Sequence, residues 1–345
     1  MARAAVHFDE SLPLDASPSQ ILALCRKLPH LKDAAEGQIL EPKVLSGGIT
    51  NVLYCVPSPL GSVVVRIFGN DTEKLIDRGN ELRLITYLTQ FSVGPCVYGT
   101  FNNGRFEMFF EGKTLEPADM RETSVYKMTA SELARMHRVP IVSPWEKKCA
   151  LWDNFDKWFS QVSTISFSDE AKQKRFADLN LRALESEIGQ LKAALQGSTS
   201  PLALAHNDLL CGNILVEFEN NKIHFVDFEY GMVNHVAFDI ANHWNEWPGF
   251  DCQMAGDFST FPTPEQQSDF CRAYLQTYNE AEPTPEAVQQ LVTESLRFSL
   301  ASNIFWALWA AIQADISEID FDYIAYAAAR QGQYYKTKAS YLRLQ

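Results

Sequence analysis

A polar segment in the second half of the chain carries the side chains with the clearest capacity for chemistry. Asp208 is followed five residues later by the carboxamide of Asn213, and another carboxylate, Asp227, comes after two apolar runs. Oxygen ligands without sulfur or clustered imidazoles are those that Mg²⁺ prefers, so Asn213 and Asp227 are the predicted metal ligands. Asp208 would accept the proton of a substrate hydroxyl. A loop base beside a metal site is the arrangement that phosphoryl transfer requires.

The two predicted metal ligands are distant in sequence, and a predicted hairpin brings them together. Asn220 and Asn221 suit a two-residue turn, because Asn tolerates the positive φ angles that such a turn needs. A hairpin centred there places Asn213 and Asp227 within one residue of each other at its open end. Any one of these residues alone would more often cap a turn. A concentration of acidic residues beside apolar strands is costly without a cation, so we favour the metal site.

Two stretches around these residues resemble the signature segments of a known family. HNDLLCGNILV and IHFVDFEYGMVNHVAFDIANHWNEW are similar to the choline/ethanolamine kinases, and the likeness extends from about residue 45 to residue 336. The resemblance implies an α+β class and a bilobal protein-kinase-like fold, with a small β-rich N-lobe and a large, mainly helical C-lobe. It implies ATP as the phosphoryl donor. In that family the positions matching Asp208, Asn213 and Asp227 are the base and the metal-side residues.

A glycine-rich turn near the start of the predicted N-lobe supports a nucleotide site. Gly47 and Gly48 would let backbone N–H groups approach phosphate, and the hydroxyl of Thr50 could add a donor beside Asn51. A Gly-Gly pair by itself is more often a plain turn. The sequence contains no GxxxxGK[ST] motif, so the phosphates would be bound without a P-loop.

Other predicted nucleotide contacts follow this turn. Arg66, at the end of an apolar strand, would take the place of the usual kinase lysine on the phosphates, and Glu81 on the next helix would orient it as an ion pair. Met108 and Phe109 would line the adenine slot at the linker between the lobes. Each has an ordinary alternative, since Arg66 could be a strand-end charge and Met108 and Phe109 could be core residues.

Aromatic residues in the last third of the chain suggest the phosphoryl acceptor. Trp306 and Trp309 are three residues apart on a predicted helix and so share a face, a spacing that alone is more typical of a core. The family places matching aromatic residues around a cationic substrate, which they attract by cation–π interaction. The resemblance therefore implies a substrate site formed by Tyr230, Glu246, Trp306, Trp309, Phe321 and Tyr326.

The identity of the amine rests on four segments of the sequence. GGITN, VRIFGNDTEKLIDRGNE, GTFNNGRFEMFFEG and NHWNEWPGFD are more similar to ethanolamine kinases than to choline kinases. Pro248 and Gly249 also replace an aromatic-rich segment of choline kinases, which should remove part of one pocket wall. Ethanolamine is the favoured acceptor, and phosphoethanolamine would enter phosphatidylethanolamine biosynthesis by the CDP-ethanolamine route. Choline or dual activity is the near alternative; a catalytically dead kinase-like module and a metal-dependent phosphohydrolase are the distant ones.

The elements that must position these residues follow from the hydrophobic pattern. The order strand, strand, helix, strand, strand predicts a nucleotide-binding lobe at residues 41–112, after an arm and helix at 1–40. A helical pattern predicts a catalytic and substrate-binding lobe at 113–345. The main helices expected there span residues 123–137, 151–162, 169–196, 264–280, 285–314 and 321–338.

Composition defines the broad class of protein. A chain of 345 residues that is 46% hydrophobic can bury a large core. The balance of 30 Lys and Arg against 43 Asp and Glu gives a charge of −13, which disfavours nucleic-acid partners. Seven scattered cysteines without a CxxC pair, and the lack of a signal-like or membrane-length apolar run, predict a reducing, cytoplasmic location without membrane insertion. A homodimer is left open.

Overall fold

The computed structural model describes residues 6–31, 39–45, 51–69, 72 and 75–344. The chain divides into two compact units. The N-terminal unit contains residues 1–113 and the short return segment 224–229, and the C-terminal unit contains residues 114–223 and 230–345. The sequence did not indicate that a segment as late as 224–229 belongs to the first unit. The predicted boundaries at residues 40 and 112 stay a prediction.

The N-terminal unit is built on a six-stranded sheet in the order β1-β5-β6-β4-β3-β2. β1 pairs with β5 in parallel, and the other pairs are antiparallel. The elements are β1 (Val6–Phe8), α1 (Pro18–Cys25), β2 (Lys43–Leu45), β3 (Asn51–Val56), β4 (Val63–Phe68), α2 (Arg78–Leu88), β5 (Val97–Phe101) and β6 (Gly104–Met108).

The two faces of this sheet have different chemistry, because side chains alternate along a strand. On one face Val65 and Phe106 form a register pair and pack in a core that also contains Leu24 of α1. On the other face Arg66 and Arg105 form the adjacent register pair, and both are buried. An apolar face thus anchors the sheet, while its opposite face supplies buried charges.

The C-terminal unit is mainly helical. Its helices are α3 (Thr123–His137), α4 (Leu151–Val162), α5 (Glu170–Asp178), α6 (Leu184–Leu195), α7 (Val236–Glu246), α8 (Gly249–Met254), α9 (Pro264–Asn279), α10 (Pro285–Ile316) and α11 (Tyr323–Tyr341). Its strands include β8 (Leu202–Ala205), β9 (Ile214–Glu217) and β11 (Met232–His235), while β7 (Lys113–Thr114) and β10 (Lys222–Phe225) cross from one unit to the other along the chain. Among the described residues, none of these helices combines the length and hydropathy that crossing a bilayer requires.

Two local expectations are corrected by the structure. The helix expected at residues 169–196 is interrupted, because Asn180 takes a left-handed φ of 48° between α5 and α6. The two-residue turn expected at Asn220 and Asn221 is also wrong. The loop between β9 and β10 has four residues, in which Phe218–Asn220 form a 3₁₀ turn and Asn221 alone takes a positive φ of 49°. The hairpin register deduced from the shorter turn therefore has no basis.

Candidate active site

The loop after β8 holds two of the predicted catalytic residues close together. The side-chain amide of Asn213 donates to the backbone carbonyl of Asp208 at 2.8 Å and to its carboxylate Oδ2 at 3.1 Å. A 3₁₀ turn over Cys211–Asn213 brings the carboxamide back to Asp208. Because the amide nitrogen of Asn213 makes both bonds, its Oδ1 is the atom that can bind a cation.

A buried carboxylate on α7 fixes the backbone of this loop. Asp239 accepts the N–H groups of His206 and Asn207, each at 2.7 Å, and the imidazole of His137 donates to it at 2.9 Å. Burial opposes ionisation of Asp239, but the hydrogen bond from His137 and its charge outweigh this effect and lower the pKa of Asp239. These hydrogen bonds fix the backbone of the loop at residues 206 and 207.

The loop is also held by neutral groups. Asn207 takes a left-handed φ of 66° and donates its amide to the carbonyls of Ala205 and Tyr230 at 3.1 and 3.0 Å. The ring of His243 lies 2.9 Å from the carbonyl of Leu209 through Nδ1, while its Nε2 accepts the indole N–H of Trp247. This pairing requires the proton on Nδ1. Burial lowers the pKa of His243 to about 4, so the imidazole is neutral near pH 7.

Asp227 is part of the return segment at residues 224–229, which belongs to the N-terminal unit. It takes a left-handed φ of 66°, and its Oδ1 accepts a hydrogen bond from Nη1 of Arg66 at 3.0 Å. Its side chain remains 20% exposed, compared with 3% for Arg66. Oδ2 is therefore the oxygen best placed to bind a cation.

Three carboxylates of the N-terminal unit come close together. Asp227, Glu81 and Glu229 each offer one oxygen, and these oxygens lie within 4.8 Å of one another. Both oxygens of Glu81 contact arginines, Oε1 with Arg105 at 2.7 Å and Oε2 with Arg78 at 2.9 Å. Glu81 and Glu229 thus form ion pairs with arginines, while Asp227 is the most exposed of the three carboxylates. An all-oxygen group of this kind fits Mg²⁺ by its donor chemistry.

The predicted ion pair between Arg66 and Glu81 is wrong. Nε of Arg66 lies 3.3 Å from Glu107, and its Nη1 contacts Asp227. Glu81 instead pairs with Arg105, which is the strand neighbour of Arg66 and stands on the same face. Helix α2 brings Glu81 to the β6 side of this face, so the arginine of β6 meets it. Sequence reasoning missed Arg105 because the partner depends on which strands are adjacent.

The charges in this cluster shift the acidities of its members. Burial opposes ionisation of Glu81, yet the neighbouring arginines outweigh it and hold the pKa of Glu81 at about 2. Burial and the charge of Asp227 raise the pKa of Glu229 to about 7, despite the opposing charge of Arg78. Burial would lower the pKa of Arg66, but the carboxylates beside it raise the value.

The other predicted nucleotide-binding residues are placed in the N-terminal unit or lie outside the described residues. Gly47, Gly48 and Thr50 are not described. Asn51 is buried at the start of β3, where it donates to Glu229 at 3.2 Å and accepts from Arg78 at 3.0 Å. Met108 ends β6, and Phe109 follows with its N–H 3.3 Å from the carbonyl of Ser62. Met108 and Phe109 are partly exposed, and their role stays a prediction.

The predicted substrate residues form a connected aromatic cluster in the C-terminal unit. Trp306 and Trp309 meet edge to face at 5.3 Å between ring centroids, and Tyr230 contacts Trp306 at 5.1 Å. Tyr326 links Trp309 to Phe321, with centroid distances of 6.3 and 6.0 Å. We name these five residues the aromatic cluster. Except for Phe321, they are largely buried, as core residues would be, so their binding role stays a prediction.

The polar atoms of the aromatic cluster are oriented by hydrogen bonds. The indole N–H of Trp309 donates to the hydroxyl of Tyr230, and that of Trp306 donates to Oδ1 of Asn242, each at 2.6 Å. Glu246 lies at the end of α7 and accepts from Arg330 at 2.6 Å. Burial raises the pKa of Tyr326, and the negative charges of Glu246 and Asp208 add to this effect against the opposing charge of Arg330. The base loop and the aromatic cluster are therefore electrostatic neighbours within one unit.

Sequence reasoning missed two members of this surrounding structure. Phe250 on α8 contacts Tyr326 at 5.4 Å and Phe321 at 5.8 Å, so an aromatic wall persists after Pro248 and Gly249. The expectation that Pro248 and Gly249 remove part of one pocket wall stays a prediction. Arg330 is buried on α11, four residues after Tyr326. Residues four apart share one face of a helix, so the spacing of Arg330 from Tyr326 could have indicated that the two side chains meet.

Comparisons with known proteins match this architecture. The model of the choline/ethanolamine kinase family matches residues 43–335. A probable ethanolamine kinase from Arabidopsis thaliana is 37% identical over 96% of this chain and 88% of its own length. The human ethanolamine kinase 1 is 37% identical over 90% of this chain and 70% of its own length.

A solved structure, that of an ethanolamine kinase from Plasmodium vivax, superposes with a TM-score of 0.80 at 27% identity, covering 92% of this chain and 89% of that one. Together with the strand-rich first unit and the helical second unit, this similarity confirms the predicted α+β, protein-kinase-like fold. The family match covers well over half of the sequence and includes the loop of Asp208 and the return segment of Asp227. The chain belongs to the choline/ethanolamine kinase family.

Proposed function

We propose that this protein transfers the γ-phosphoryl group of ATP to the hydroxyl of ethanolamine, with Mg²⁺ as cofactor. The observation that carries the proposal is the pairing of Asp208 with Asn213 in a loop that also neighbours an aromatic, acidic cluster. This arrangement supports the proposed roles of a base and of neighbouring side chains that attract an ammonium group. The relatives described above are named as ethanolamine kinases, which supports ethanolamine as the first substrate to test.

In the proposed reaction the hydroxyl oxygen of ethanolamine attacks the γ-phosphorus. A new oxygen–phosphorus bond forms as the bond between the γ-phosphorus and the bridging oxygen breaks, ADP leaves, and the hydroxyl proton passes to Asp208. Asn213, which donates its amide to Asp208, keeps that carboxylate turned in one direction. The rigid attachment of the loop to Asp239 limits how far Asp208 can move.

The residues that would hold the cofactor are Asn213 through Oδ1 and Asp227 through Oδ2. When bound, Mg²⁺ neutralises charge on the phosphate oxygens. Arg66 is proposed to act on the phosphates as well as on Asp227, since its guanidinium can donate to several oxygens. Gly47, Gly48, Thr50, Asn51, Glu81, Met108 and Phe109 complete the proposed nucleotide site.

The direct test is an activity assay with purified protein. With Mg²⁺ and ATP, addition of ethanolamine should give equal amounts of ADP and phosphoethanolamine, the latter identified by phosphorus NMR. The Asp208→Asn variant should lower kcat by at least about 1000-fold while still binding ATP, because the proton acceptor is lost. ATP hydrolysis that is unaffected by the amine would instead indicate a phosphohydrolase, and nucleotide binding without turnover a catalytically dead module.

Choline is the alternative acceptor, because the matched family includes kinases of both amines. Comparing kcat/KM for ethanolamine, its methylated derivatives and choline separates the two assignments. We expect the value to fall with each added methyl group, since every methyl removes an N–H donor. Rising values would reassign the protein as a choline kinase.

The product, phosphoethanolamine, would serve phosphatidylethanolamine biosynthesis by the CDP-ethanolamine route, and we propose a cytoplasmic location for the enzyme. Homodimer formation stays a prediction, which light scattering of the purified protein would test. Loss of phosphoethanolamine from cells that lack this protein would support the metabolic assignment.

A further inference from the structure

A buried arginine stands behind the aromatic cluster. Arg330 on α11 is fully buried, and its Nη1 lies 2.6 Å from Oε1 of Glu246 and 3.1 Å from the hydroxyl of Tyr326. Its Nη2 donates to Oγ of Ser302 at 3.1 Å. One guanidinium group therefore fixes an acidic residue and an aromatic residue of the proposed amine site at the same time.

The carboxylate of Glu246 is held from both sides. Its Oε1 accepts from Arg330, its Oε2 accepts from Nε2 of Gln253 at 3.2 Å, and the residue is 4% exposed. A carboxylate has about four lone-pair positions, so these two bonds leave others to accept from a substrate. Glu246 is thus both immobilised and still able to receive hydrogen bonds.

The ion pair also changes what Glu246 can offer to a cation. Burial would lower the pKa of Arg330, but its contacts with Tyr326 and Glu246 raise it, so the arginine stays charged beside the carboxylate. The pair has no net charge, and its attraction for a cation as such is weak. Its remaining contribution is directional, namely an acceptor oxygen at a fixed position.

Directional acceptors distinguish the two amines. The ammonium group of ethanolamine has three N–H donors, which lose free energy if they are buried without acceptors. The trimethylammonium group of choline has none and is attracted mainly by ring faces. We propose that Arg330 is a specificity-determining positioning residue, which favours ethanolamine by holding Glu246 as a fixed, charge-compensated acceptor at the aromatic cluster. The inference rests on the proposed ethanolamine kinase activity.

The test uses the full chain and measures KM and kcat for ethanolamine and for choline, and KM for ATP. Arg330→Met should raise KM for ethanolamine about 10-fold more than KM for choline, with KM for ATP unchanged. Arg330→Lys should restore part of the preference, because an ammonium group can donate to Glu246 but cannot bridge three partners. Lys338→Met is the matched control, since it removes an ion pair with Glu187 farther along the same helix.

Removing one partner of a buried ion pair can prevent folding, so a second variant is needed. The double variant Glu246→Gln, Arg330→Met removes both charges, and it should show the same loss of preference for ethanolamine. In folded variants, an unchanged ratio of kcat/KM for ethanolamine to kcat/KM for choline would overturn the role of Arg330. Equal losses of kcat/KM for both amines and for ATP would overturn it as well. A wild-type protein that phosphorylates neither amine would instead overturn the proposed function itself.

Discussion

The guanidinium of Arg66 lies 3.0 Å from the carboxylate of Asp227 within the N-terminal unit. The strand β4 and the return segment at residues 224–229 supply the two partners, which are 161 residues apart in sequence. The contact joins a residue proposed to act on phosphate with one proposed to bind the metal. The two residues therefore belong to one network of charges.

Replacing Arg66 should affect both stability and nucleotide use. Arg66→Met removes the arginine that contacts Asp227 and one of the two arginines that contact Glu107, which costs roughly 3–5 kcal/mol of unfolding free energy. KM for ATP should rise at least about 10-fold, because the proposed contact of Arg66 with phosphate is also lost. Thermal unfolding and steady-state kinetics measure the two effects, with Arg83→Met on the exposed side of α2 as the control. An unchanged KM for ATP in folded protein would restrict Arg66 to a structural role.

Asp239 should control kcat without contacting substrate. In the Asp239→Asn variant one carboxylate oxygen becomes an NH₂ group, which cannot accept the N–H of His206 or Asn207. We expect kcat to fall roughly 10- to 100-fold, with a smaller change in KM for ethanolamine. Hydrogen exchange at the amides of residues 206 and 207 should quicken in parallel. Asp156→Asn, on the exposed side of α4, should change neither measurement; retained kcat in Asp239→Asn would contradict the bracing role.

Trp306 should contribute mainly to binding of the amine. Trp306→Ala removes a buried indole and its bond to Asn242, and it should raise KM for ethanolamine at least about 10-fold with little change in KM for ATP. The substitution also costs about 3–5 kcal/mol in packing, so Trp306→Phe, which retains a ring, is tested alongside it. Trp152→Ala on α4 provides the comparison. If Trp306 is only a core residue, stability falls while KM stays constant.

The stability of the protein should depend on pH through His243. Its pKa is about 4 when folded, below the ordinary value of 6.5, so the unfolded chain binds the proton more readily. The contribution is present above pH 6.5 and is lost as the pH falls toward 4, by up to roughly 3 kcal/mol. Chemical denaturation at pH 7 and pH 5 measures this loss. In His243→Asn the loss should be smaller, and an equal pH dependence in both proteins would assign it to other groups.

The pattern of the sequence was sufficient for the class of fold and for most of the helices. The helical pattern predicted residues 123–137 as a helix, and α3 has these bounds. The residues Asp208 and Asn213 were also brought together as expected, because the loop and its 3₁₀ turn are local in sequence. Features determined by neighbours along the chain were therefore predictable.

The partners of buried charges were decided by the tertiary structure. Glu81 was expected to pair with Arg66, yet it meets Arg105, because β6 lies beside β4 and carries its arginine on the same face. Arg330 likewise reaches Glu246, which is 84 residues away in sequence. Coulomb attraction depends on distance in space, and two arginines have the same local chemistry. The sequence by itself determined which groups carry charge, and only the packing of strands and helices determined which of them meet.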